Sequence, residues 1–459
     1  MVKYSKKVLL IHPEISRTKY NFVGVIENEC LELEYISAML KEEGHEVTLY
    51  DGQVEQKPVS ETLRKLKPDV VYVCGRTRQE NFMLEYCREA KAVNSDTITM
   101  IGGLHAQLCY ERLCADGVDY VFTTFDIYKI RDVMNFCYGQ GNVFLEETDG
   151  ICYQRNGEWI VNPAKPFDIN ELPLPDRTYF HEHPQNYRYL ELEHAAWVRT
   201  AYSCPYRCKF CHRNRMNLGK YVCRDIHAVV DEIAQIPDDN IYIVDDDFLY
   251  DEDRLNTFIR LVREKDLHKN FICYGRADFI ASHEELMAEL KSIGLYYVLV
   301  GLETITDEQL KAYNKKSGLE ANVKSIELCN RLGIHIMGMF IIDMDYKPKD
   351  FRILYRWIKA HSLRHVAISI FVPEMGLETF DEYRDRLITN NPSHWDYLHV
   401  VVKPDHMSVK RYYFHYYILL IKLFMKGKRD GIYDFIDYGD YIRSFVKNIF
   451  RSKRGNDDE

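Results

Sequence analysis

Reactive side chains are most concentrated in Ser203-Cys204-Pro205-Tyr206-Arg207-Cys208-Lys209-Phe210-Cys211, a C-x3-C-x2-C loop. Three thiolates this close suit one soft metal centre, either zinc or an iron–sulfur cluster. A structural zinc site wants a fourth ligand, and His212 abuts Cys211,. A residue next to a ligand usually points away from the same metal, so zinc is the weaker reading. Three thiolates on a cluster leave one iron open, which is the coordination of a catalytic centre. A ferredoxin-like role needs a fourth cysteine nearby, and Cys223 is not suitably spaced.

The elements that must position this loop alternate. In the first 140 residues, β-branched runs at 8–11, 47–50, 70–74, 97–101 and 120–123 are separated by helical patterns. One of these, 31–43, puts Leu31, Tyr35, Ile36, Met39 and Leu40 on one face and stops at Gly44,. Five strand–helix units predict a doubly wound parallel sheet, with ligands outside the carboxyl ends of its strands. Residues 146–195 carry Pro163, Pro166, Pro173, Pro175 and Pro184, a linker composition with a short hairpin at Asn156-Gly157,. Strand candidates resume at 196–200, 241–244, 272–276, 297–302, 334–342 and 365–371, with helices at 252–265, 284–293 and 321–332. Six such units make a second open sheet or an incomplete barrel, with chemistry at the strand carboxyl ends in either case. The last 70 residues read as helical, with Ser408 as N-cap and Gly427 as stop,. The tyrosine-rich segment 412–417 reads as a packing face, 447–454 as a small solvated basic cluster, and 451–459 as a charged, frayed tail,. The predicted division is 1–145, a linker at 146–195, 196–385 and a helical 386–459.

The cysteine loop, with an aromatic residue before its third cysteine, resembles the cluster loop of the radical S-adenosylmethionine (SAM) superfamily. Other landmarks follow in order. Val244-Asp245-Asp246-Asp247-Phe248 is similar to the family's second strand end, and Tyr274-Gly275-Arg276-Ala277-Asp278 to its third. Val300-Gly301-Leu302-Glu303-Thr304 resembles its Gly-x-Glu motif. Phe371-Val372-Pro373 and Met375-Gly376-Leu377-Glu378-Thr379 resemble its sixth-strand region. Leu174-Pro175-Asp176-Arg177 resembles the linker of the subgroup with an N-terminal cobalamin (B12)-binding domain, and Ile101-Gly102-Gly103-Leu104-His105 its fourth-strand loop. The likeness covers roughly 170–385 for the core and 5–140 for the domain before it.

This resemblance implies an α/β chain: a Rossmann-like cobalamin-binding sheet, a partial (β/α)6 barrel and a helical C-terminal cap. It implies a [4Fe-4S] cluster on Cys204, Cys208 and Cys211, with SAM on the fourth iron. The backbone at Phe210, with Asp246, Arg276, Gly301 and Glu303, would bind SAM; Arg276 suits its carboxylate and Glu303 a ribose hydroxyl or the amino group. The bland alternatives are an Arg276–Asp278 ion pair and a structural pair for Glu303. Arg76, Thr77, Gly102, Gly103, His105, Thr123 and Thr124 would hold cobalamin. The cobalamin-ligating Asp-x-His-x-x-Gly motif is absent; Gly75-Arg76-Thr77-Arg78 follows the third strand. Cobalamin would then bind without a protein imidazole, or not at all. Thr123-Thr124-Phe125-Asp126 likewise replaces the subgroup's Gly-Glu-Gly-Glu. Asp343 stands where relatives carry glycine, either facing substrate or as a solvated strand end. Asp245–Asp247 invites a divalent-cation reading, with polar strand-end lining favoured.

Composition narrows the function classes. Apolar residues at 46% and charged residues at 28% exclude disorder across the 459 residues,. A net charge of −10 disfavours a nucleic-acid partner,. No apolar run approaches the roughly 18 residues of an integral membrane segment, and no secretory signal is read. Thirteen cysteines, an odd number, argue against a paired secreted framework and for a reducing cytoplasm, low in oxygen if an open-iron cluster is present,. The resemblance implies methyl transfer to an unactivated carbon, or phosphorus, of a natural-product or lipid-type small molecule. An external electron donor such as flavodoxin or ferredoxin would serve it. The alternatives are a non-methylating radical enzyme (cyclisation, rearrangement, oxidation or epimerisation), a non-catalytic metal-binding protein, and a tRNA methylthiolase, which lacks its second cysteine trio here.

Overall fold

The computed structural model describes residues 4–16, 26–27, 29–55 and 57–435. The first five predicted strands form β1 (Lys7–His12), β2 (Glu46–Asp51), β3 (Val70–Cys74), β4 (Ile98–Gly102) and β5 (Tyr120–Phe122), all parallel. Alternate side chains serve opposite faces, as the period of two requires. Val8 and Leu10 pack with α1 (Leu31–Glu42), whereas Leu9 and Ile11 join the cluster that holds Leu63 and Met83. The spatial order β2-β1-β3-β4-β5 reverses the direction of travel after β2. That reversal places a switch point between β1 and β3, where a crevice opens at the carboxyl ends.

The Asn156-Gly157 hairpin forms as β6 (Ile151–Arg155) and β7 (Glu158–Val161), with positive φ at both turn residues (53° and 83°),. It extends the first sheet, since β6 pairs antiparallel with β5.

The second series is β8 (Ala195–Val198), β9 (Asn240–Ile243), β10 (Asn270–Gly275), β11 (Leu295–Glu303), β12 (His335–Ile342) and β13 (His365–Ile370). These strands are parallel and lie in sequential order. Right-handed crossovers between sequential parallel strands put every connecting helix on one side. The sheet therefore curls into a six-stranded partial barrel, which decides between the two architectures the periodicity allows. Tyr189, Tyr242, Tyr297 and Leu299 pack together inside it.

The helix of the C-terminal region is α2 (Val409–Arg429), capped by Ser408 as predicted. Gly427 does not stop it. The helix runs two residues further, and a side chain at 427 would start 2.5 Å from the Tyr433 ring, so close packing explains the glycine. Tyr412 and Tyr416 are buried, and their hydroxyls donate to Ile342 O (2.9 Å) and Ile368 O (3.1 Å), fixing the helix against β12 and β13. The basic cluster at 447–454 and the tail at 451–459 lie outside the described residues. Among the described residues no helix is long and apolar enough to cross a membrane.

Candidate active site

After β8 the chain pairs Ala201–Tyr202 antiparallel with Val222–Cys223, and the cysteine loop lies between them. Ser203 turns the chain with φ +72°. The loop docks on the segment after β11: Lys209 N donates to Tyr313 O (2.9 Å), Asn314 Nδ2 donates to Arg207 O (2.6 Å), and Phe210 meets the Tyr313 ring edge-on at 5.2 Å. Cys204, Cys208 and Cys211 line one cavity of about 320 Å³ with the strand ends of the barrel. Burial pushes the Cys204 and Cys211 thiols up to about 12; it also raises Cys208, opposed by Lys315 and Arg276. Such thiols ionise on binding a metal centre, whose charge outweighs desolvation. Among the described residues no three His, Cys, Asp or Glu side chains converge on a single ion. A cluster takes one thiolate per iron, and the loop offers three thiols at the cavity,.

The three consecutive aspartates divide their work, which removes the divalent-cation reading. Asp245 accepts from Thr200 N (2.7 Å), Ala201 N (2.8 Å) and the Thr200 hydroxyl, joining the ends of β8 and β9. Asp246 pairs with Arg213 Nη1 at 3.0 Å. Asp247 is buried, faces the cavity, and has no hydrogen-bond partner on either oxygen.

Burial raises the Asp247 carboxyl to about 8, with Arg276 and Lys315 opposing. A folded value above the unfolded one means stability is present at acidic pH and lost as pH rises toward 8. Asp247→Asn is therefore expected to raise the cofactor-free protein's melting temperature at pH 9, but much less at pH 5. Melting curves at both pH values check this. Equal shifts would mean that the carboxyl is not held neutral.

Arg276 takes its alternative partner while still lining the cavity. Its Nε and Nη2 donate to Asp278 at 3.0 and 2.9 Å, and the guanidinium lies 3.7 Å from the centre of the Tyr206 ring. Glu303, with φ +60°, accepts from Lys315 Nζ at 2.7 Å in a buried pair. Gly301 makes room for that pair: a side chain there would start 2.2 Å from Glu303 Oε1 and 2.8 Å from Lys315 Nζ. Asp343 is turned away from the expected substrate-facing role. Its carboxylate accepts from the Tyr313 hydroxyl and Met344 N, both at 2.6 Å, and closes the strand end.

A second hollow opens between the two sheets. His12, Cys74, Gly75 and Arg76 line it from the first sheet, and Trp197, Arg199, Arg213 and Met216 from the barrel side. Arg213 borders both hollows. Buried Arg199 Nε and Glu29 Oε2 lack partners at this crevice, so a ligand bearing amide donors and acceptors, as a corrin does, fits it,.

Several residues expected here do other work. His105 is fully buried, with Nε2 2.6 Å from Glu80 and Nδ1 3.2 Å from Thr77, so both ring nitrogens and the Thr77 hydroxyl are engaged in the interior. Gly102 accommodates Tyr72, whose hydroxyl lies 1.8 Å from where a side chain would begin. Gly103, at φ +89°, admits Cys74 Sγ at 2.8 Å from the same point. These glycines serve approach of the protein to itself. Thr123 N donates to Gly150 O (2.8 Å), and Thr124 packs on Gly150, so both anchor the β6–β7 hairpin. The sequence reading missed Tyr206, Arg213, Lys315, Glu374 and Tyr397, all of which line the barrel cavity.

The B12 binding domain family model matches residues 27–126, and the Radical SAM superfamily model matches 198–358. The chain is 25% identical to the hopanoid C-3 methylase of Methylococcus capsulatus, over 89% of this chain and 78% of that one. It is 22% identical to the anaerobic magnesium-protoporphyrin IX monomethyl ester cyclase of Rubrivivax gelatinosus, over 88% and 74%. The solved structure of the cobalamin-dependent S-adenosylmethionine radical enzyme OxsB, with aqua-cobalamin and S-adenosylmethionine bound, superposes with a TM-score of 0.64 at 20% identity. That match covers 85% of this chain but only 56% of OxsB. With both domains matched in this order, the chain belongs to the radical SAM superfamily, in the subgroup that carries a B12-binding domain.

Proposed function

We propose that the protein is a cobalamin-dependent radical SAM methyltransferase acting on an unactivated carbon, or phosphorus, of a natural-product or lipid-type small molecule. The observation that carries this reading is the pair of hollows at the carboxyl ends of two parallel sheets, adjoining at Arg213. Cys204, Cys208 and Cys211 would hold a [4Fe-4S] cluster. When bound, the cluster and SAM supply a hydrogen-abstracting 5′-deoxyadenosyl radical, and cobalamin supplies a transferable methyl group. Arg276, released from or shared with Asp278, would hold the SAM carboxylate. Glu303 would take its amino group or a ribose hydroxyl, with Asp246, Gly301 and the backbone at Phe210 completing the site. Arg76, with Arg199 and Arg213 opposite, would meet the corrin periphery. The hopanoid methylase supports an apolar small-molecule substrate. An external one-electron donor of the flavodoxin or ferredoxin type would reduce the cluster, in a low-oxygen cytoplasm.

The test is anaerobic incubation of cluster-reconstituted protein with SAM, reductant and methylcobalamin. We expect 5′-deoxyadenosine and S-adenosylhomocysteine, with iron and cobalt both bound. Full activity of cobalt-free enzyme would overturn the reading. A product without an added carbon would favour cyclisation, the activity of the cyclase relative.

A further inference from the structure

The barrel cavity has two chemically different walls. From β9 to β11 it presents the charged groups Asp247, Arg276, Glu303 and Lys315, of which Arg276 and Glu303 are assigned above to SAM. From β12 and β13 it presents mainly apolar side chains, among them Met339, Ile341, Ile370 and Phe371, with Ser369 the one hydroxyl on these strands.

The apolar wall ends in one polar group of three. Glu374, 6% exposed, accepts from the Tyr397 hydroxyl, and His212 Nδ1 lies 3.5 Å from Glu374 Oε1. His212 Nε2 is buried with no partner, and all three residues line the cavity. A buried ring nitrogen left unpaired is costly unless a ligand group meets it.

Tyr397 is also held in a conformation that bulky residues rarely adopt, φ +64°,. Such outliers persist only where the surroundings fix them. Here Ile370 N donates to Tyr397 O (2.8 Å), and Trp395 Nε1 donates to Pro373 O (2.8 Å). Asn81 Nδ2 of the first domain donates to Asn391 Oδ1 (3.2 Å) and Ser393 Oγ (3.1 Å). Both domains therefore pin the segment that delivers the tyrosine.

We propose that the β12–β13 wall seats the substrate and that Tyr397, Glu374 and His212 form its polar end. The substrate is then a predominantly apolar molecule carrying a hydroxyl or amine. Such a group both donates and accepts, matching a tyrosine oxygen with a free lone pair and an imidazole nitrogen. This rests on the reading of the opposite wall as the SAM site.

The test uses anaerobic, reconstituted holoenzyme with SAM and a matched pair of probes, 1-indanol and indane, titrated by ligand-observed NMR. A well-made hydrogen bond corresponds to about tenfold in affinity, so 1-indanol is expected to bind about tenfold more tightly than indane. Tyr397→Phe and Glu374→Gln should each weaken 1-indanol to within about twofold of indane, with indane unchanged and bound iron retained. Glu374→Gln is nearly isosteric and carries the test if Tyr397→Phe does not fold. Equal affinities in wild type, no binding of either probe, or an undiminished preference in both variants would overturn the proposal. Wild-type protein that cleaves SAM but ignores the hydroxyl sinks this inference alone. Protein that binds no SAM sinks the reading beneath it.

Discussion

Replacing Cys204, Cys208 or Cys211 singly with alanine is expected to abolish bound iron and SAM cleavage together. The three thiols lie on one loop whose position is fixed from outside, through Lys209 N to Tyr313 O and Asn314 to Arg207 O. Among the described residues no other cysteine lines the cavity, so none substitutes for a missing ligand. The remaining two thiols are burial-raised and lose the metal charge that would ionise them,. Anaerobic reconstitution should give about four irons per wild-type chain and fewer than about one in each variant. Release of 5′-deoxyadenosine should fall by about 10³-fold or more, equivalent to about 4 kcal/mol of activation free energy. Cys223→Ala is the control: Cys223 is on the short strand that closes the loop and does not line the cavity, so iron and cleavage should persist. Iron and cleavage retained in any of the three loop variants would show that the cluster is held elsewhere.

What the sequence made legible follows from how far each signal reaches along the chain. Short β-branched and aromatic runs alternating with helical patterns placed all six barrel strands, because periodicity is local. The cysteine spacing is local too. Pairings across space were not legible. Lys315 lies twelve residues after Glu303 with no motif around it, and only the folded chain turns its ammonium back across Gly301. His105 sits at a glycine-rich loop and so reads as a ligand-facing residue, yet Glu80, from a different helix, draws it inward. Tyr397 was hidden among 34 tyrosines, and the eye-catching cluster at 412–417 packs the C-terminal helix instead. Backbone conformation is the signal that separates them: φ +64° at Tyr397 has no counterpart in the helical tyrosines.

Arg177→Met is expected to destabilise the folded chain by about 3–5 kcal/mol, the usual consequence of stranding buried charge. Arg177 is 8% exposed and joins three parts of the molecule. Its Nη1 donates to Glu29 Oε1 (2.8 Å), just before α1 of the first sheet, and lies 3.7 Å from Glu34 on α1 itself. Its Nη2 donates to Trp197 O (2.6 Å) on β8 and to Glu232 Oε1 (3.0 Å) on the barrel helix Ile226–Gln235. Glu232 retains Arg224 at 2.6 Å, so its charge stays compensated. Glu29 and Glu34 would be left facing each other. Burial already raises both carboxyls, and the charge of Glu29 raises Glu34 further. A raised folded value means that stability from these groups is lost as pH rises. The deficit of Arg177→Met should therefore be largest at pH 8 and shrink toward pH 5, where the stranded carboxyls take up protons. Urea midpoints at the two pH values measure it, and adding Glu34→Gln should recover part of the loss at pH 8. A deficit below about 1 kcal/mol, typical of an exposed pair, would mean that hydrophobic contacts alone hold the two domains together. A deficit that does not change with pH would place the damage in lost packing of the Arg177 stem. Because Glu29 also borders the crevice between the sheets, the same variant should loosen the wall assigned to the corrin, tying domain docking to cofactor retention.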